Sequence, residues 1–222
     1  MKALIFDSSA IISLALNDLL YTLEPLKKIF GGDFYLTKTI KEELIDKSLE
    51  TNRFALEALI IKNLIDKGIL TIYPNDSFLE KEQQKILEKA NKTFKANNEF
   101  VRLIHEGEAS CIALYKIIKT EKKAIVIDER TTRMLCEAPN NLHRLLEKKL
   151  HRKIEAHKEN YDFFQNVNII RSSELVLIAL NKKIINFDAP KQKIIEAMLY
   201  ALKFKGCSIS NQEIEKIILS AE

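Results

Sequence analysis

The chain has 222 residues, of which 46% are hydrophobic and 30% are charged, so it can bury a core and keep a well-solvated surface. Trp is absent, and Gly (5) and Pro (4) are scarce, which favours long helices over a sandwich built from tight turns. The formal net charge of +4 permits a nucleic-acid partner without requiring one.

The cysteines and the apolar segments bear on the cellular compartment. Cys111, Cys136 and Cys207 lie far apart without CxxC spacing, so we expect no disulfide framework and a reducing cytoplasm. Asp7 interrupts the apolar N-terminal run, which argues against a signal peptide. No apolar stretch reaches the roughly 18 residues that a membrane span needs.

Short apolar runs alternate with helical stretches along the chain, and continuous apolar runs predict strands buried on both faces. In chain order, the predicted elements are strand Ala3–Phe6, helix Ser9–Leu16, strand Asp33–Leu36, helices Ile40–Leu49 and Arg53–Lys67, strand Ile69–Tyr73, helices Phe78–Asn97 and Ala109–Lys119, strands Ala124–Ile127 and Val167–Ile170, and helices Glu174–Asn181, Pro190–Lys205 and Ser210–Leu219. Thr37 or Thr39 can cap the second helix, and Gly68 can end the third.

This alternation predicts an α/β fold, a three-layer α/β/α sandwich with a central, mostly parallel five-stranded sheet. Ligands of such sheets collect beyond the carboxyl ends of the strands. The gap between the fourth and fifth strands is too long for one crossover, so we predict a helical insertion at Arg130–Phe164 within a single domain spanning residues 1–222.

Two predicted strands end directly in an acid: Asp7 follows ALIF, and Asp128 follows AIVI. Carboxylates from adjacent strands would meet at the carboxyl edge of the sheet, where like charges need a cation, a shared proton or separation. Hard oxygen ligands favour Mg²⁺ or Mn²⁺. Each Asp taken alone is better explained as a helix cap, so the cation site depends on the combination.

Two further acids lie on predicted helices. Glu108 shares a helical phase with Ile112 and can face the sheet edge, although the helix dipole alone would favour an acid there. Glu43 follows the helical phase of Ile40, but an ordinary solvated face would also explain it.

Four segments resemble, in order, the acidic motifs of PIN domains: IFDSSAIISLA, LTKTIKEELID, HEGEASCIALY and VIDERTTRML. RSSELVLIAL and the later KGCSIS turn extend the resemblance over nearly the whole chain. PIN domains are α/β/α sandwiches whose acids bind one or two divalent ions at one edge and hydrolyse phosphodiester bonds. The resemblance therefore implies a single PIN-like domain and a Mg²⁺- or Mn²⁺-dependent endoribonuclease that leaves 5′-phosphate and 3′-hydroxyl ends.

The resemblance also implies roles for individual residues. The implied catalytic acids are Asp7, Glu43, Glu108 and Asp128. The implied metal ligands are Asp7, Glu108 and Asp128. The implied secondary residues are Ser9, Glu129 as a substitute for its neighbour, and Ser172.

A basic amphipathic helix is predicted at His143–Lys158, inside the insertion. It offers four cations to RNA phosphates: Lys148, Lys149, Arg152 and Lys153. An ordinary solvated face explains these cations equally well. Three histidines here could form a zinc site with Cys136, but their spacing matches no recognised ligand pattern.

Other interpretations of a first strand that ends in Asp7 agree less well with the sequence. A haloacid dehalogenase phosphatase needs a second Asp where Ser9 stands, and a Rossmann unit needs a glycine-rich turn. RNA processing or decay is the favoured role, and the alternatives are a toxin paired with an antitoxin or a non-catalytic RNA-binding scaffold. A homodimer and DNA cleavage stay open.

Overall fold

The computed structural model describes residues 2–51 and 54–220. In chain order the elements are β1 (Lys2–Phe6), α1 (Ser8–Ala15), α2 (Leu23–Phe30), β2 (Asp33–Leu36), α3 (Lys38–Lys41), α4 (Lys47–Glu50), α5 (Ala55–Asp66), β3 (Thr71–Ile72), α6 (Ser77–Asn91), β4 (Phe94–Ala96), β5 (Glu99–Phe100), α7 (Glu106–Ile117), β6 (Lys122–Val126), α8 (Arg130–Glu137), α9 (Pro139–Leu150), β7 (Glu155–Ala156), β8 (Ile169–Ile170), α10 (Ser172–Asn181), α11 (Lys191–Phe204) and α12 (Asn211–Leu219). A π-helical segment, Glu42–Asp46, joins α3 to α4, and 3-10 helices occupy Leu20–Thr22 and Lys158–Phe164.

The central sheet has five strands in the order β3-β2-β1-β6-β8, and every neighbouring pair is parallel. Helices cover it on both faces, so Ile5 and Phe6 of β1 are completely buried. The predicted α/β class with a five-stranded sheet is therefore confirmed. The two edge strands are shorter than predicted. At β3, the amide of Leu70 donates to Leu64 O at the end of α5 rather than to a strand.

A second, three-stranded antiparallel sheet, β5-β4-β7, was not predicted. The helix predicted over Phe78–Asn97 ends at Asn91, so the prediction was wrong for the residues after Asn91. Asn97 and Asn98 both have positive φ (49° and 66°) and form the two-residue turn of a hairpin, a conformation that Asn tolerates. Phe94 leaves the helix because it packs against the insertion, with its ring stacked 5.5 Å from that of His143.

The segment between β6 and β8, for which the sequence predicts a helical insertion, is helical only in part. After α8 and α9 the chain forms β7 and then a 3-10 helix. The helix predicted over His143–Lys158 was wrong beyond Leu150, because His151 adopts a left-handed conformation (φ 51°) and reverses the chain. Lys148 and Lys149 are exposed at the end of α9, whereas Arg152 and Lys153 are exposed beyond it. The four predicted cations therefore do not share one helical face.

Two predictions from single residues at helix ends are confirmed. The Thr37 hydroxyl accepts from the amide of Ile40, and Gly68 has the positive φ (68°) of a residue that ends a helix. The predicted start of α5 at Arg53 lies outside the described residues. Helix α2 was not predicted; its Pro25 lies in the first helical turn, where Pro is tolerated.

All three cysteines are buried and unpaired. Within residues 2–51 and 54–220, no helix combines the length and apolar character needed to cross a membrane.

Candidate functional site

The carboxyl edge of the sheet brings the two strand-end acids side by side. Strands β1 and β6 are adjacent and parallel, with Phe6 opposite Val126. Asp7 directly follows β1, and its amide donates to Val126 O at 2.9 Å. Asp128 lies two residues beyond Val126, the last residue of the neighbouring strand β6. The predicted meeting of these acids at one edge is therefore present in the backbone.

Asp7 is 2% exposed, and its two carboxylate oxygens have different surroundings. Oδ2 caps α1 by accepting from the Ser9 amide at 3.0 Å and from the Ser9 hydroxyl at 2.5 Å. Oδ1 is buried, and no described residue donates a hydrogen bond to it. Helix capping therefore accounts for one oxygen of Asp7 and leaves the other to be explained, because a buried acceptor without a partner is costly.

Burial and two neighbouring acids make Asp7 hard to ionise. Desolvation is the largest cause, followed by the charge of Glu108 and, more weakly, that of Glu43, while the Ser9 hydrogen bonds act in the opposite direction. Together they raise the pKa of Asp7 from 3.8 to about 7. The two helix acids predicted to face the sheet edge thus act electrostatically on Asp7, as expected for carboxylates that share a site.

Gly107 lies between these carboxylates. A Cβ at this position would come within 3.1 Å of Glu43 Oε2, 3.9 Å of Asp7 Oδ1 and 3.0 Å of Ile40 Cδ1. The unpartnered oxygen of Asp7 and an oxygen of Glu43 therefore border the same small space, which the missing side chain of Gly107 leaves open. Gly107 lies in the first turn of α7, one residue before Glu108.

The backbone that carries Glu43 is a π-helical segment rather than the uninterrupted α-helix predicted over Ile40–Leu49. Such π segments occur often at functional sites because they redirect side chains. Lys41 and Asp46 form an ion pair at 2.7 Å across this segment. The preceding turn is held against α7 by a hydrogen bond of 2.7 Å between the hydroxyls of Thr37 and Ser110.

Asp128 is completely buried, and Ser172 satisfies both of its carboxylate oxygens. The Ser172 amide donates to Oδ1 at 2.8 Å, and its hydroxyl donates to Oδ2 at 2.6 Å. The Asp128 amide donates to Ser9 Oγ at 3.0 Å, so Ser9 joins Asp128 to Asp7. Asp128 thus fixes the start of α10 beside the acidic space, and the implied secondary residues Ser9 and Ser172 both contact an implied catalytic acid.

Glu129 has a separate position. Its carboxylate caps α8 by accepting from the amides of Thr131 and Thr132 at 2.8 and 2.6 Å. Of the acidic pair, Asp128 is the residue that contacts the groups of the sheet edge.

Ser172→Ala is expected to lower the free energy of unfolding by about 2 kcal/mol, because a buried carboxylate loses a short hydrogen bond. Urea unfolding at neutral pH measures this. Ser173→Ala is the matched control, since Ser173 is equally buried but donates to Glu174 at 3.2 Å. Equal losses in the two variants would contradict a specific contribution from the bond to Asp128.

The donor set fits a hard divalent cation. Asp7 Oδ1 is a buried carboxylate oxygen without a partner among the described residues, Glu43 adds a carboxylate oxygen beside the same space, and the charge of Glu108 acts on Asp7. Over the described part of the chain, no three His, Cys, Asp or Glu side chains converge into a closed metal site. Repulsion among these carboxylates is a sufficient physical reason for their separation. Glu43 is exposed, and Glu108 accepts a hydrogen bond from the His105 amide at 3.0 Å.

Sequence reasoning missed the contacts of the KGCSIS turn. The amide of Ser208 donates to Asp128 O at 3.1 Å, and Ser208 O accepts from Arg171 and Arg133. Arg171 is 8% exposed and pairs with Glu213 at 2.9 Å. The C-terminal helices therefore contact the acidic edge through residues far away in sequence. The role of Gly107 was also missed, although a glycine between two acids in a first helical turn is a visible signal.

The alternative zinc site gains no support from the side chains involved. His143 stacks on Phe94, and its Nε2 lies 2.7 Å from Ile154 O. Burial, the largest cause, raises the pKa of Cys136 to about 12, which disfavours the thiolate that zinc needs.

Three comparisons with known proteins give no match for this chain. It matches no protein-family model, no curated protein and no solved structure. The resemblance to PIN domains therefore depends on four short motifs and on the positions that their acids occupy.

Proposed function

We propose that this protein is a PIN-domain endoribonuclease that hydrolyses RNA phosphodiester bonds with Mg²⁺ or Mn²⁺ at the carboxyl edge of its sheet. The observation that carries the proposal is the buried, unpartnered Oδ1 of Asp7, which borders the same space as Glu43 beside Glu108. A structural cap needs neither an unsatisfied oxygen nor two further carboxylates.

Several residues of the acidic edge would have different roles in cation binding. Asp7 Oδ1 and Glu43 would bind the cation directly, and the charge of Glu108 would increase the attraction of the site for it. Ser9 holds the other oxygen of Asp7 and so fixes the direction of Oδ1. A divalent cation, when bound, would lower the pKa of a water molecule and neutralise the charge that develops on the phosphate.

Asp128 would act differently from the other acids. Because Ser172 occupies both of its oxygens, we propose that it positions the edge beside Asp7 and adds negative charge there. This supports a cation site centred on Asp7, Glu43 and Glu108. We also propose a cytoplasmic location, where a reducing environment keeps the buried thiols unpaired.

Cleavage of labelled oligonucleotides tests the function. Single-stranded RNA, hairpin RNA and DNA of the same sequence are incubated with Mg²⁺, Mn²⁺ or EDTA. We expect RNA cleavage with either metal and none with EDTA. The absence of cleavage of every substrate with both metals would contradict the proposal and favour an RNA-binding scaffold. A preference for DNA would change the substrate class.

A further inference from the structure

A polar groove of about 710 Å³ separates α3 from α6. Its walls include lysines and side-chain amides: Lys38, Asn75, Lys81, Gln83, Gln84 and Lys85. We propose that this α3–α6 groove binds the segment of single-stranded RNA that leads into the acidic site. The inference rests on the proposed function, since it assigns a path to the substrate of that site.

The topology connects the groove to the acids. Lys38 follows β2 and Asn75 follows β3, so both walls begin at the carboxyl edge of the parallel sheet. Glu42 lines the groove and is the residue before Glu43. An RNA strand lying in the α3–α6 groove would therefore run along the carboxyl edge of the sheet, the edge at which the acidic space lies.

A second contact fixes the other wall of the groove relative to α7. Gln83 of α6 is 8% exposed, and its amide donates to Glu106 O at 3.3 Å. Glu106 begins α7, two residues before Glu108. Helix α6 is therefore tied to the element that supplies Gly107 and Glu108 to the site.

The three acids that line the groove do not leave it strongly negative, because three lysines also line it: Lys38, Lys81 and Lys85. Two of the acids pair with a lysine, Glu42 with Lys38 (3.7 Å) and Glu88 with Lys92 (2.6 Å), whereas Glu80 accepts a hydrogen bond from the neutral amide of Asn75 (2.6 Å). A phosphate backbone would therefore meet one lining carboxylate without a paired cation, that of Glu80, before it reaches the acidic site.

Two lysines remain available to phosphates. Lys81 and Lys85 are both exposed and lie one helical turn apart on α6. No described side chain forms an ion pair with Lys81, whereas Lys85 pairs with the partly buried Glu82 at 3.6 Å and lies 5.0 Å from the centre of the Phe163 ring. The Lys85 side chain keeps 56% of its surface exposed in these contacts, so its ammonium can also contact a phosphate.

The amides favour a single strand over a duplex. Gln84 is exposed between the two lysines and can both donate to and accept from the edge of a base. Base edges are open to such contacts in single-stranded RNA, whereas a duplex presents mostly its shape, phosphates and 2′-hydroxyls. Gln84→Ala is therefore expected to change the preference among single-stranded sequences more than the salt dependence of binding.

The double variant Lys81→Ala/Lys85→Ala tests the groove. It is expected to raise the Kd for a labelled single-stranded RNA of about 12 nucleotides roughly tenfold, and to flatten the slope of log Kd against log salt by about 1.4, since each phosphate contact on a single strand contributes about 0.7. Fluorescence anisotropy with Ca²⁺, followed by a gel that confirms intact RNA, measures binding independently of cleavage. Thermal unfolding of the variant confirms that it is folded.

The control removes two other exposed lysines, Lys119 and Lys122, at the opposite, amino edge of the sheet. Lys119→Ala/Lys122→Ala should bind RNA like the parent. The proposal would be overturned if Lys81→Ala/Lys85→Ala bound RNA as tightly as the parent, or if it lost no more affinity than Lys119→Ala/Lys122→Ala. It would also be overturned if only Lys148→Ala/Lys149→Ala lost affinity. If the parent cuts no RNA, the proposed hydrolysis fails, and the anisotropy measurement still decides whether the groove binds RNA.

Discussion

Asp7→Asn is expected to abolish metal-dependent RNA cleavage and, at the same time, to stabilise the metal-free protein at pH 8. The loss of activity should be on the order of a thousandfold, because the variant loses the buried anionic oxygen that would bind the cation. The Asn side chain can still accept from Ser9, so the cap of α1 is retained. Its amide group can donate towards Glu43 and Glu108, where Asp7 could only repel them.

The gain in stability follows from the pKa of Asp7. Because the pKa of Asp7 in the folded protein, about 7, exceeds the ordinary value of 3.8, the folded protein binds this proton more tightly than the unfolded chain does. Parental stability should therefore fall as the pH rises from about 4 to about 7 and then stay level. Asp7→Asn lacks this loss, so its advantage should grow across that window to at most about 4 kcal/mol.

Urea unfolding in EDTA between pH 4 and pH 8 measures the difference. Mg²⁺ should then stabilise the parent more than the variant, since a ligand that binds only the folded state raises its stability. Asp66→Asn, which removes an exposed carboxylate, is the matched control and should follow the parent. Cleavage by Asp7→Asn at the parental rate would disprove the proposed site. A variant less stable than the parent at pH 8 would contradict the account of Asp7.

Gly107→Ala is expected to lower the cleavage rate on the order of a hundredfold while leaving the fold intact. The new methyl group would lie 3.1 Å from Glu43 Oε2 and 3.9 Å from Asp7 Oδ1, inside the space that we assign to the cation. Its position 3.0 Å from Ile40 Cδ1 requires a small movement of a side-chain end. Ala is favoured over Gly in helices by about 1 kcal/mol, which offsets that cost.

Titration with Mg²⁺ separates the two effects of this variant. The cation concentration needed for half-maximal activity should rise strongly, while the unfolding midpoint in EDTA should change by only a few degrees. Glu106→Ala is the control, because it changes an exposed acid in the same helical turn. If Gly107→Ala retained the parental metal dependence, the space above Gly107 would not be the cation site.

Much of the central sheet was predictable because its signals are local. A continuous apolar run such as Ala3–Phe6 needs cover on both faces, and this requirement alone favours a central parallel strand. Thr37 and Gly68 likewise act within one helical turn, so their roles could be read from the sequence. Asp7 and Asp128 could be assigned to one edge because adjacent parallel strands end on the same side.

The unpredicted features depend on partners far away along the chain. Phe94 left the expected helix because it stacks on His143, which lies in the insertion. The basic helix was overextended because its apolar periodicity continued past His151, where the backbone turns. Neither departure is encoded by a local propensity strong enough to outweigh the tertiary contacts.

The sequence by itself determined the parallel α/β sheet and the presence of acids at its carboxyl edge, because strand burial and chain direction follow from local patterning. Only the tertiary structure decided what each acid does there. It leaves one oxygen of Asp7 without a partner beside Glu43, and it satisfies Asp128 through Ser172. The physical reason is that ionisation and cation binding depend on distances of a few ångströms between side chains from separate elements, which no local pattern specifies.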